Sequence, residues 1–452
     1  MLKRLNIRVV YTLLSALFII LGTFLAIQYA KGNYRMTKKG FVPESGLLSA
    51  NSFPPGAEIY VNDKLISATD DTIYLEPGDY KVKIAKEGYS PWEKQLKLEK
   101  ELVTQTNAVL FPQVPSLTPL TFAGVQNVSP SPDGQKIIFY TSSSSAEAKN
   151  GLYILDLINN QLSLQKGPRQ ISQNTGNIHL NQSLYIWSPD STELLINAPN
   201  DNSSKEILLD VDKKTDLTTG PDLTFQKKQL LAKWQEEMYI RERQFLGKFP
   251  DKMIEIATTS AKNIYLSPDK KRMIYTATVS ATIPDRLIPP VLATNTQPES
   301  RTLEPGNIYI YDKEEDRNFK VGMEKKDPNA PIKHSLATDL YNREALTYEG
   351  SPSAFLSLQA TNSAQTVKNF TTYHSSLYVN TFQWFPDSKH LIYTTDDEIH
   401  IMEYDGTNDT VVYSGPFSNH FVYPWPDGSK LIMLTSFSPN SPLNLYALEL
   451  KK

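Results

Sequence analysis

Five aspartates share one setting. Asp133, Asp190, Asp269, Asp387 and Asp427 each follow a proline, and three apolar residues come shortly after each pair. These triplets are Ile137-Ile138-Phe139, Leu194-Leu195-Ile196, Met273-Ile274-Tyr275, Leu391-Ile392-Tyr393 and Leu431-Ile432-Met433. Recurrent carboxylates could bind calcium or serve in catalysis. Calcium, however, takes about six or more oxygens converging on one loop, and no Asp-x-Asp-x-Asp-Gly loop occurs here. A turn accounts for the pattern instead. Proline presets φ at the second position of a type I turn, aspartate suits the third, and glycine or a small residue follows.

Other chemistry is thinly represented. Histidine occurs at 179, 334, 374, 390, 400 and 420 with no His-Glu-x-x-His pair, so no metal site is expected. His400 lies within an apolar strand and reads as a packed or solvent-facing ring. Neither Gly-x-Ser-x-Gly nor a Gly-x4-Gly-Lys-Ser/Thr loop is present, and the chain ends directly after its last repeat, without room for a hydrolase domain. No catalytic, cofactor-binding or metal-ligating residue is therefore expected. Trp187, Trp384 and Trp425 stand just ahead of three of the Pro-Asp turns. They either fill the wedge between neighbouring sheets or form an aromatic rim that stacks on a sugar or peptide; as a ligand site, these three are the candidates.

The elements that would position these residues repeat. After each turn and triplet comes a second apolar strand closing on an acid: Leu152–Asp156, Ile207–Asp210, Ile308–Asp312, Ile399–Glu403 and Leu445–Glu449. Turn, strand, loop, strand, acid, repeated five times, predicts radially repeated antiparallel sheets, a β-propeller. The 118-residue gap between Asp269 and Asp387 leaves room for a degenerate sixth blade. Closure would use a strand in Leu110–Phe122 or the terminal Leu443–Leu450. An amphipathic helix over Phe225–Gly247, within an insertion at about 221–260, carries Leu230, Leu231, Trp234, Met238 and Phe245 on one face. That face either lies on the propeller's flank or docks a partner. A loop over 283–305 has prolines at 284, 289, 290, 298 and 305.

Composition narrows the partners. Forty-six basic residues against 49 acidic ones give a net charge of −3, and no basic stripe points to nucleic acid. The chain has no cysteine, which excludes disulfides, thiolate nucleophiles and a lipidated N-terminal cysteine. Val9–Ala30 contains no charge. At ~1.5 Å per residue it reaches ~33 Å, enough to cross a hydrocarbon core. The run is longer than the apolar region of a cleaved signal peptide, and Gln28-Tyr29-Ala30 lacks the small residue such cleavage needs. A transmembrane helix at 9–30 is expected, with a cytoplasmic tail at 1–8 and a linker at 31–45. Basic residues flank it almost equally; the short tail ahead of a large remainder places the bulk outside the cytoplasm.

Residues 46–112 read as a small β unit. Pro55-Gly56-Ala57-Glu58-Ile59-Tyr60-Val61-Asn62, Leu75-Glu76-Pro77-Gly78-Asp79-Tyr80-Lys81-Val82 and Lys86-Glu87-Gly88-Tyr89 together resemble the PEGA domain, with Pro55 where that family has glutamate. The resemblance implies a β-sandwich-like module that serves as an envelope spacer or binding module. From 117 to 452, Ser-Pro-Asp-Gly followed by an apolar strand resembles TolB-like propeller blades. The expected fold is thus all-β: a PEGA-like module, then a propeller of five recognisable and six expected blades, with an N-terminal membrane helix and one helical insertion. The expected role is a non-enzymatic, membrane-anchored envelope protein that binds a protein or surface glycan. An accessory subunit of an envelope enzyme or export complex is the alternative.

Overall fold

The structure is a computed structural model that describes residues 7–451 apart from 31–33, 38–39, 44, 143, 159–166, 176–177, 201–202, 325–381, 418–420 and 439–440. It divides into two compact units: Met1–Leu110 with Pro290–Gln297, and Phe111–Pro289 with Pro298–Lys452.

In the first unit, helix α1 spans Ile7–Ala30. Its described side chains are those of residues 11–27, and all are exposed. Among the described residues no helix is long and apolar enough to cross a membrane, so the expected span is not carried by the structure. The β module is built on two larger sheets, beside a two-stranded pairing of Ser52–Phe53 with Ala108–Val109. One orders Lys64–Ala68, Glu58–Val61, Gly78–Ala85 and Trp92–Leu98; the other orders Val103–Gln105, Gly46–Ala50 and Asp71–Leu75. Along Trp92–Leu98 burial alternates strictly, as a strand with one wet face requires. The inward residues Ile59, Val61, Val82, Ile84, Trp92, Leu96 and Leu98 meet Leu48, Ala50 and Ile73 in one core. Asn62 and Asp63 adopt positive φ, 49° and 62°, closing a two-residue hairpin between Val61 and Lys64. The prolines of the 283–305 loop are shared between units. Pro290–Gln297 belongs to this one, where Thr296 Oγ1 and Gln297 Nε2 both donate to the Gln95 carbonyl at 3.2 and 2.7 Å.

The described residues of the second unit form five larger antiparallel sheets and a two-stranded one, Ala281–Thr282 with Thr302–Leu303. Sheet I orders Gln126–Pro130, Lys136–Thr141, Gly151–Asp156 and Arg169–Gln173; sheet II orders Leu184–Trp187, Glu193–Asn200 and Ser203–Asp210. Sheet III orders Ala261–Leu266, Arg272–Ala277, Asn307–Asp312 and Arg317–Met323; sheet IV orders Phe382–Trp384, His390–Thr394, Glu398–Glu403 and Thr410–Ser414. Sheet V combines both ends of the unit: Leu117–Pro119 pairs with Asn444–Glu449, followed by Lys430–Thr435 and Val422–Pro424. Both segments anticipated for closure are therefore used, one against the other.

Shared cores give the order of packing. Sheets I and II bury Ile138, Ile154, Trp187, Leu194 and Leu209 together. Sheets III and IV share Ile274, Ile310, Phe319, Leu391 and Met402, and sheets V and I share Ile137, Phe139, Trp425, Ile432 and Leu445. Between II and III stand two helices. Helix α2, Lys227–Leu246, packs Leu231, Trp234 and Met238 on Ile186 and Leu195 of sheet II. Helix α3, Asp251–Ser260, packs Met253, Ile256 and Ala257 on Met273 and Tyr275 of sheet III. Sheet V meets sheet IV where Thr435 Oγ1 donates to the Pro416 carbonyl at 2.6 Å, so the described elements close on themselves through faces rather than through one continuous sheet, which is how a propeller hides its edges.

Sheets III and IV touch directly: besides their shared core, Arg272 Nη1 donates to the Ser388 carbonyl at 2.9 Å, and its guanidinium lies 4.0 Å from the Tyr404 ring centroid. The degenerate blade expected in the Asp269–Asp387 gap falls on 325–381, outside the described residues. One expectation changes: the helical insertion stands between II and III as two helices rather than one. Gly247 ends α2, and Pro250 precedes α3 with its fixed φ and an acid, Asp251, in the first turn.

Candidate functional site

The five Pro-Asp turns build one end of the ring, and their hydrogen bonds show what the carboxylates do. In each turn the aspartate accepts from the backbone N–H two residues on: Gln135, Thr192, Lys271, Lys389 and Ser429, at 2.8–3.1 Å. In three turns a serine hydroxyl also donates to the aspartate at 2.6 Å, from Ser131, Ser188 and Ser267. The same oxygens accept the N–H of Lys136, Glu193 and Arg272 at 2.9 Å. Phe385 replaces that serine in the fourth turn, and His390 takes over: its Nδ1 lies 2.6 Å from Asp387 Oδ2. Among the described residues no group of His, Asp and Glu could hold a metal ion.

Burial alone would raise the Asp387 carboxyl, but the hydrogen bond and charge of His390, with the N–H groups of Lys389 and His390, hold it below its usual range. A carboxyl lowered in the folded state adds stability above its unfolded value of about 3.9, and that stability is lost as pH falls through the folded value. Asp387→Asn is therefore expected to flatten the loss of stability below about pH 4, read from urea midpoints across pH. An acid limb unchanged from wild type would refute this.

The fourth residue of every turn has positive φ: Gly134 73°, Ser191 62°, Lys270 60°, Ser388 62° and Gly428 66°. Each of these residues faces the preceding member of the ring. The Ser191 hydroxyl accepts from Asp133 N–H at 3.1 Å, and the Ser388 hydroxyl from Asp269 N–H at 3.0 Å. A Cβ on Gly134 would lie 3.2 Å from the Tyr423 hydroxyl, and one on Gly428 would lie 2.9 Å from the Phe385 ring. Lys270 sits 5.3 Å from the Phe245 ring centroid of α2, and Arg241 of α2 donates to the Pro189 carbonyl at 2.9 Å. Left-handed backbone costs a non-glycine residue about 1–2 kcal/mol, comparable with the hydrogen bond each serine gains. Ser388→Ala, which keeps the strain and loses the bond, is expected to cost about 1–2 kcal/mol. Ser388→Gly, which loses both, should stay within about 0.5 kcal/mol of wild type. Equal losses in denaturant unfolding would contradict this reading.

The tryptophan candidates do not form a rim. Trp187 is wholly buried, in the joint core of sheets I and II, and Trp425 is 8% exposed between sheets V and I. Trp384 is half-buried against the core shared by III and IV. In the β module, Trp92 is buried with Tyr89 packed beside it. His400 stacks on Tyr393, with centroids 4.5 Å apart. Its Nδ1 lies 3.2 Å from Asp409 Oδ1 and its Nε2 3.3 Å from Glu398 Oε2, so the two carboxylates meet different ring nitrogens rather than one point. His334, His374 and His420 lie outside the described residues.

The proline loop has a polar clamp that its sequence did not advertise. Arg301 meets Asp285, Glu299 and Asp316 at 3.2–3.3 Å and donates to the Pro284 carbonyl at 2.7 Å. Asp316 Oδ2 also accepts the Leu287 N–H at 2.8 Å. The charged residues come from both legs of the loop and from a turn of sheet III, which is why spacing alone does not reveal them.

Residues 45–113 match the PEGA domain. No curated protein sequence matches the chain. Among solved structures, a putative TolB from Agrobacterium tumefaciens is 12% identical, with 71% of this chain and 76% of that one covered and a TM-score of 0.20. TolB from Acinetobacter baumannii is 10% identical over 88% of this chain, which spans 65% of that protein, with a TM-score of 0.20. An oligogalacturonate lyase from Vibrio parahaemolyticus is 8% identical, covering 82% and 86%, with a TM-score of 0.24. The fold of the second unit rests on its strand order and packing, and the match to the PEGA domain covers residues 45–113.

Proposed function

We propose that this chain is a membrane-anchored, non-enzymatic binding or scaffold protein of the cell envelope, with its two units on the extracytoplasmic side. The anchor reading rests on the uncharged run Val9–Ala30, and it is supported by the exposure of Tyr11, Leu13, Leu17, Phe18, Ile19 and Ile20, each more than 60%, apolar side chains that lipid or protein would cover. The binding role is supported by the turn chemistry. The recurrent carboxylates are each engaged by their own turn, which fits a structural rather than a catalytic use of these acids. PEGA-domain membership over 45–113 fits a spacer between membrane and ring. The accessory-subunit alternative loses its docking helix, because the apolar face of α2 lies on sheet II.

Two measurements test this. The full chain should stay with membranes through alkaline extraction and be released when residues 9–30 are replaced by a polar linker; release of the intact chain by alkali would end the anchor reading. Mixed with envelope fragments of its source cell, the detergent-solubilised chain should be retained, and protease or glycan stripping of the fragments would separate a protein ligand from a glycan. Failure to be retained would end the envelope-binding reading.

A further inference from the structure

Where α2 meets α3, lysines from three elements gather on two phenylalanines. Lys248 and Lys270 lie 5.5 and 5.3 Å from the Phe245 ring centroid, and Lys313 lies 5.0 Å from that of Phe249. Lys248 follows α2, Lys270 is the fourth residue of the third Pro-Asp turn, and Lys313 leaves the third strand of sheet III. Among the described residues none of the three has a carboxylate within ion-pair distance. The acids around them have other engagements. Glu314 pairs with Lys271 at 2.9 Å, and Asp269 is bound by Ser267 and the Lys271 N–H. Glu242, near Lys270 and Arg241, is held by burial above the usual carboxyl range. Burial, with Lys248 and Lys271 nearby, pushes the Lys313 ammonium below its usual value against the opposing pull of Glu314 and Asp269. The patch is therefore positive charge gathered by the fold with acids nearby but, among the described residues, no carboxylate paired to any of the three lysines.

We infer that Lys248, Lys270 and Lys313 form a binding surface for an acidic polysaccharide. The chemistry selects this class. Phe249 is buried and Phe245 is half-buried beside the lysines, so the patch presents no apolar anchor of the kind that centres a protein interface or inserts into a membrane. All three cations are lysines, hydrated point charges rather than the planar forks that read a single carboxylate or phosphate in two-point fashion. Separated point charges without an apolar centre suit a polymer carrying carboxylates at intervals, bound electrostatically and released by salt. The inference rests on the envelope reading only for where such a polymer would be met. Loss of the chain from membranes would leave a positive binding result standing, and a negative one would leave the anchor standing.

The full chain in mild detergent would be tested on immobilised alginate, with neutral dextran and polyglutamate as the other two surfaces. Expected is binding to alginate that exceeds binding to both, falls at least tenfold in about 0.5 M salt, and falls at least tenfold in Lys248→Gln/Lys270→Asn/Lys313→Gln. Asparagine at 270 keeps a residue that tolerates positive φ. If the triple variant melts earlier than wild type, the exposed single change Lys248→Gln should still weaken binding about threefold. Absence of alginate binding, wild-type affinity in the variants, or equal or tighter binding to polyglutamate would each overturn the proposal.

Discussion

Removal of residues 443–452 is expected to abolish the cooperative unfolding transition of the second unit. The deleted strand, Asn444–Glu449, lies between Leu117–Pro119 and Lys430–Thr435, and it is paired on both edges. Its loss leaves Leu117–Pro119 without a partner in sheet V and exposes one whole edge of Lys430–Thr435. Leu445, Leu448 and Leu450 are each at most 2% exposed. At about 1.5–3 kcal/mol per buried leucine, these three side chains alone approach the 5–15 kcal/mol that typically separates a folded domain from its unfolded chain. Leu445 also sits in the core common to sheets V and I, so the damage reaches the joint that closes the ring. Urea unfolding followed by tryptophan fluorescence should show no sigmoidal step for the truncated chain. A midpoint close to that of the full chain would mean that the ring does not depend on this joint.

How much of this was legible beforehand depends on the range of the interaction. The Pro-Asp turns were readable because their chemistry is local: proline sets one dihedral, and aspartate accepts from an N–H two residues on, so a few residues contain the whole device. The same holds for the β module, where Tyr80, Val82 and Ile84 alternate with lysines along the strand Gly78–Ala85. The short strands Gly46–Ala50, Lys64–Ala68 and Val103–Gln105 were missed because they hold too few apolar residues to show a period. The ring order was illegible for the opposite reason. Ser388 joins Asp269 across a stretch of sequence that includes 325–381, and nothing in the intervening residues announces that sheets III and IV touch. The long gap that invited an extra sheet covers 325–381, outside the described residues, whereas the two helices between II and III are described, α2 packing on sheet II and α3 on sheet III. The lysine patch was hidden likewise, since Lys248, Lys270 and Lys313 come from three separate elements.

Trp187→Ala is expected to cost about 3–5 kcal/mol, the range for emptying a large aromatic site in a packed core. Its side chain has no accessible surface and touches the core of both sheets I and II, so the surroundings cannot collapse into the space without parting two sheets. Trp187→Phe should recover part of the loss by refilling most of the volume. Trp384, half-buried on sheet IV, should lose less on truncation to alanine. The ordering separates the two roles that spacing alone left open for these residues. A stacking rim would leave stability near wild type in all three alanine variants and remove ligand binding, whereas wedge packing predicts urea midpoints that fall in proportion to burial. Position ahead of a Pro-Asp turn is common to both roles, because the inner strand that enters the turn runs beside the neighbouring sheet and beside the ring's open end. What decides between them is burial: Trp187 lies without accessible surface in the core that sheets I and II share.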